Sequence, residues 1–179
     1  MLIFRQLIQA GLLLLPCLIG CSAYPPSGNA TEEFRNYSYL RVVRSNEVNK
    51  FGNPIFILSM YENGEYKGYL RTVIGRSYSQ NLDRSIPGNR SPLPNGKYLI
   101  DNRWYYSDIP EAGEQFWPIE PNFYTRRSAF GFHLDPSFEK NPKEDGTDGC
   151  IGLTNVQDRT TLFNFIQTSK PRYLEVSIK

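Results

Sequence analysis

PIFILSMYENGEYKGYLRTVI, residues 54–74, is the stretch on which the fold turns. Residues 54–61 and 66–74 are rich in aromatic and β-branched side chains, the types that fit a pleated surface. Between them stands Glu62-Asn63-Gly64-Glu65. Asn-Gly reaches the left-handed backbone region that a tight two-residue hairpin turn demands, so a β-hairpin is predicted here.

Working outward, residues 39–44, 97–102, 115–120 and 129–133 read as further short strands, the last delivering His133 to its end. Residues 77–96 form a long polar loop punctuated by Pro87-Gly88, Pro92 and Pro94. One helix is predicted, capped by Thr154 or Asn155, with Asp158 in its first turn. Leu162, Phe163, Phe165 and Ile166 give it an apolar face, Pro171 stops it, and residues 173–178 alternate as a closing strand. The fold class is mainly β with one helix.

The first twenty residues differ from the rest. Arg5 precedes an apolar run that ends in small residues, the layout of a secretory signal. The uninterrupted apolar part, residues 10–19, is short of the roughly 20 residues a spanning helix needs. Leu18-Ile19-Gly20-Cys21 resembles a bacterial lipobox, which implies lipidation of Cys21 and anchoring through its acyl chains. Residues 21–36 mix Pro, Gly, Ser and charge and read as a tether, leaving residues 37–179 as one domain. The expected location is the bacterial cell envelope, lipid-anchored and facing the periplasm. With Ser22 after the cysteine, the outer membrane is expected if the cell is Gram-negative.

With Arg5 set aside, nineteen of the twenty Lys and Arg face eighteen Asp and Glu, and no basic stripe stands out. Nucleic acid is therefore not an expected partner. Oligomeric state leaves no trace in the sequence.

Cys17 leaves with the signal and Cys21 is assigned to the lipid, so Cys150 is left without a disulfide partner in an oxidising compartment. His133 is the only histidine, with sixteen residues between it and Cys150. A thiol nucleophile needs a base, and imidazole is the side chain best matched to that task. Gly146, Gly149 and Gly152 surround the sulfur with small residues, leaving space for a substrate carbonyl and for backbone donors to an oxyanion. The helix that follows would favour the thiolate if its N-terminus pointed inward.

FHLDPSFEKNPKEDGTDGCIGL, residues 132–153, resembles the catalytic motif of the L,D-transpeptidase (YkuD-type) family: His, a loop, Ser or Thr, often a second His, then Gly and Cys. His133, Thr147, Gly149 and Cys150 match it. Residues 91–100, SPLPNGKYLI, are similar to the family's Thr-Pro-x-Gly-x-(aromatic)-x-Ile stretch, behind a hairpin and Gly75. Asp148 stands where a second His is frequent, and Gly152 where Arg or Asn is frequent.

The resemblance implies a β-sandwich or barrel and acyl transfer on peptidoglycan stem peptides. Cys150 is the implied nucleophile and His133 the base, with oxyanion donors around Gly149 and Cys150. It implies no metal and no organic cofactor. A backbone carbonyl or Asp148, less readily Asp135, would orient the imidazole. Arg126 and Arg127 are weaker candidates for a stem carboxylate. Trp104, Tyr105, Tyr106, Trp117 and Tyr124 read first as packing residues and second as groove lining. The competing reading is a catalytically silent envelope lipoprotein that binds peptidoglycan or a protein through the same groove. Papain-like and NlpC-type peptidases place Cys before His, and no His follows Cys150.

Cys21→Ser is expected to move the protein from the membrane fraction to the soluble fraction, read by fractionation and immunoblotting. Retention on the membrane would overturn the lipoprotein reading.

Overall fold

The computed structural model describes residues 36–179. The expected signal, Cys21 and nearly all of the expected tether lie outside the described residues.

The hairpin forms as read. Strands β1 (Tyr39–Val48), β2 (Pro54–Glu62) and β3 (Glu65–Ile74) run antiparallel in sequence. Asn63 and Gly64 take φ of 50° and 80°, the paired left-handed conformation of a type I′ turn. Every residue of β2 up to Tyr61 is buried. Phe56, Leu58 and Met60 enter the main core. Ile57 and Ser59 lie on the other face, beside Arg41, Tyr69 and Arg71, long side chains suited to covering it.

The remaining strands are β4 (Gly96–Ile100), β5 (Tyr105–Tyr106), β6 (Gln115–Pro121), β7 (Phe130–Leu134), β8 (Ile151–Leu153) and β9 (Tyr173–Ser177). Hydrogen bonding runs β4-β9-β1-β2-β3-β8-β7-β6, and β4 also pairs with β6. The sheet thus closes into a ring of eight strands, with β5 attached to β6 beside β4. Closure leaves few unpaired edges, which suits a domain with many short strands. This is the mainly β architecture the sequence implied.

Helix α1 (Val156–Ser169) is capped by Asn155, whose side chain accepts the Asp158 amide at 2.8 Å. Lys170 ends it in the left-handed conformation, with φ of 46°, ahead of Pro171. Leu162, Phe163 and Ile166 pack into the core, Phe163 edge-on to the fully buried Trp117 at 5.1 Å.

Two strands escape the sequence reading. β5 has two residues, too few for any alternation. β8 has three, all buried, in a Cys-Ile-Gly-Leu context without a polar beat. The presence of β8 has a consequence for the helix. About three residues of extended chain, ~10 Å, separate Cys150 from the Thr154-Asn155 cap, and a helix dipole acts mainly within its first turn. The expected help of α1 to the thiolate is therefore lost to the intervening strand.

Asn155→Ala is expected to lower stability by about 1 kcal/mol through loss of the cap, read as a lower urea midpoint at unchanged slope.

Candidate active site

β7 and β8 are parallel neighbours, with Phe132 opposite Ile151 and His133 opposite Gly152. Carrying the register back one residue sets Cys150 level with Gly131. Side chains two residues apart on a strand share a face, so His133 and Cys150 are diagonal neighbours on one face. Both line a single cleft of about 650 Å³, together with Arg76, Arg90, Tyr105, Tyr106, Ile109, Phe116, Thr147 and Asp148. A smaller hollow of about 160 Å³, lined by Pro87, Gly88, Arg126 and Ala129, meets Cys150 from another side.

His133 is 5 % exposed, and its Nδ1 lies 2.8 Å from the Leu134 carbonyl oxygen. A carbonyl only accepts, so Nδ1 carries the proton and Nε2 presents its lone pair. Phe116 stacks near the imidazole at 6.2 Å between ring centres. Burial lowers the histidine pKa, and Arg76 adds to that; the Leu134 carbonyl and Asp148 act in the opposite sense.

Cys150 is partly exposed, with Sγ 3.4 Å from the Ala129 carbonyl oxygen. Enclosure of the sulfur pushes the thiol up to about 11; Asp148 adds to this, while the Gly131 amide and Arg127 oppose it. Between burial and charge, burial wins. Burial thus disfavours both charged forms, thiolate and imidazolium.

Thr147 holds the loop that bears the cysteine. Its Oγ1 accepts from the amides of Gly75 at 3.0 Å and Gly149 at 3.2 Å, and donates to the Cys150 carbonyl at 2.6 Å. The Gly149 amide is thus spent inside the turn and does not face the cleft as an oxyanion donor. Gly149 itself has φ of 120°, and a Cβ there would stand 1.9 Å from Arg127 Nη2. Glycine is needed for that close approach. Gly152 is also forced: a Cβ would meet Thr147 Cγ2 at 2.7 Å, leaving no room for the larger residue the family often has there.

Several expected roles change. Asp148 does not reach the imidazole; its Oδ1 accepts from Arg76 Nε at 3.3 Å and Nη2 at 3.2 Å and pairs with Arg90 Nε at 3.4 Å. Asp135 is buried, accepting from Ser137 and from the Gly146 amide at 2.9 Å, and so anchors the loop instead. The Leu134 carbonyl orients His133.

Arg127 is buried and lines the smaller hollow beside Cys150. Its guanidinium donates to the carbonyls of Arg84, Ser91, Pro92 and Asp148 and to Ser91 Oγ, and stacks on Phe130 at 5.1 Å. It ties the 77–96 loop to the cysteine turn. Arg126 is exposed at the smaller hollow. Tyr124 is 90 % exposed and does not line the cleft. Trp104 packs against the core and Trp117 lies within it, whereas Tyr105 and Tyr106 line the groove. Arg76, Arg90 and Phe116 are cleft residues the sequence reading missed. No motif spacing links them, although Arg76 directly follows the flagged Gly75.

The β-ring thus presents one thiol and one imidazole in an open cleft. The family model of the L,D-transpeptidase catalytic domain (YkuD) matches residues 47–174, more than half of the chain, and the chain belongs to this family. Comparison with curated proteins finds no match.

Thr147→Val is expected to cost about 2–4 kcal/mol, because two buried amides and one carbonyl lose their partner. Thr147→Ser, which keeps Oγ, is expected to recover most of it. Chemical denaturation of the two variants checks this.

Proposed function

We propose that this protein transfers acyl groups of peptidoglycan stem peptides through a thioester on Cys150, with His133 as general base. The observation that carries this reading is that both side chains line one cleft, with Nε2 of His133 left as a free acceptor.

Because burial disfavours both charged forms, proton transfer accompanies attack rather than preceding it. Sγ attacks the carbonyl carbon of the L,D-peptide bond at the third residue as His133 Nε2 takes the thiol proton. The developing oxyanion is held by backbone amide, with the Cys150 N–H as the remaining donor of the expected pair. Collapse breaks the C–N bond, and the imidazolium returns the proton to the departing D-amino acid. An acceptor amine, or water, then attacks the thioester with His133 again as base. A stem amine gives a cross-link, a free D-amino acid gives exchange, and water gives hydrolysis. We place this activity at the bacterial cell envelope, with the domain anchored through a lipid on Cys21.

The raised thiol pKa and the Arg-paired Asp148 favour one competing reading, a silent domain that binds wall peptides in the same cleft.

Two measurements separate these. The full-length protein is incubated with purified muropeptides and products are identified by mass, since amino-acid loss, exchange and dimerisation differ. It is also treated with a carbapenem-type acylating probe, with Cys150 adducts located by peptide mapping. Acylation is expected in wild type and about 10²–10⁴-fold slower in His133→Ala. A folded wild type that neither acylates nor alters muropeptides supports the silent domain. Iodoacetamide labelling of Cys150 is expected to accelerate with pH from neutrality toward pH 11, following the thiolate. A plateau near pH 7 would contradict the raised thiol pKa.

A further inference from the structure

We propose that Arg76 and Arg90 form a carboxylate-recognition site beside Cys150, with Asp148 as the internal anion that a substrate carboxylate displaces.

Arg76 is a buried cation, its side chain 7 % exposed. Nη1 donates to the Glu144 carbonyl, while Nε and Nη2 converge on the single oxygen Asp148 Oδ1. Arg90 Nε reaches the same oxygen. These three contacts span 3.2–3.4 Å, longer than the 2.7–2.9 Å of a tight charge-assisted bond. One carboxylate, 62 % exposed, is thus shared loosely between two guanidinium groups. Asp148 marks where an anion sits and holds that place weakly.

The two arginines are built into position. Arg90 adopts φ of 59°, a left-handed conformation that a non-glycine residue rarely takes. It is held there because its carbonyl accepts the Arg76 amide at 3.1 Å and Ser79 Oγ at 2.6 Å. Its guanidinium also bonds the Tyr78 hydroxyl at 3.2 Å. A solvated pair of surface cations needs no such arrangement, and strain of this kind collects at functional sites.

Charge elsewhere in the cleft sharpens the assignment. Asp108 and Glu111 also line it and repel an incoming anion, whereas Tyr106, Ile109 and Phe116 are largely apolar. The arginines are therefore the one favourable seat in this cleft for a carboxylate. The site stands on geometry alone; naming the anion as the terminal carboxylate of the acyl donor rests on the acyl-transfer reading.

The test compares iodoacetate with iodoacetamide as alkylators of Cys150 in the full chain, scored by peptide mapping. Each variant's iodoacetamide rate corrects for any change in the thiol itself. Relative to free cysteine, the iodoacetate-to-iodoacetamide rate ratio is expected to be raised about tenfold in wild type. It should fall to near the free-cysteine value in Arg90→Gln, rise in Asp148→Asn, and shrink with added salt. A wild-type ratio no higher than that of free cysteine, or one unchanged in Arg90→Gln, overturns the proposal.

Stem peptides ending in a free acid or in an amide form the second arm. Turnover without any anion preference in the alkylation assay leaves acyl transfer standing and removes the carboxylate site. Anion preference without turnover of either peptide keeps the site and removes the acyl-transfer reading.

Discussion

The parallel pairing of β7 with β8 is the constraint from which the site follows. Phe132 against Ile151 and His133 against Gly152 fix the register, and a slip of one residue would send either His133 or Cys150 to the opposite face. Both strands are short, so the register depends on what surrounds them. β8 is held on its other edge by β3, with Val73 opposite Gly152, and β7 is held by β6, with Trp117 opposite Phe132. The closed ring leaves neither strand free to shift without breaking pairs on both sides.

Within that frame the cysteine turn is fastened by polar contacts. Thr147 Oγ1 gathers two amides and a carbonyl, Asp135 receives Ser137 and Gly146, and Asp145 accepts Asn49 at 2.7 Å and the Glu139 amide at 2.8 Å. Arg127 closes the other side through five hydrogen bonds. Each is a buried or half-buried polar group with its partners in place, so the loop gains rigidity at little desolvation cost. The thiol is therefore held in position more by its backbone than by its own weak contact with Ala129.

The two departures from the family pattern have physical counterparts. Gly152 sits under Thr147, Val73 and Asp135, where no larger side chain fits. Asp148 has left the imidazole for Arg76 and Arg90, and the Leu134 carbonyl sets the tautomer of His133 instead. Orientation of the imidazole and pairing of the acidic residue are thus separate matters in this site, although Asp148 still raises the pKa of both His133 and Cys150.

Local information was enough for much of this molecule. The Asn63-Gly64 turn, the strands beside it, the capped helix and the rarity of His133 and Cys150 are properties of neighbouring residues or of composition, and they read directly from the chain. β5 and β8 did not, because two or three residues carry no periodicity and their pairing energy comes from strands distant in sequence. The fates of Arg76, Arg90 and Arg127 were equally hidden. Arginine looks the same in sequence whether its guanidinium meets water, a carbonyl cage or a shared carboxylate; only ring closure, by bringing residues 76, 90, 127 and 148 together, decides which.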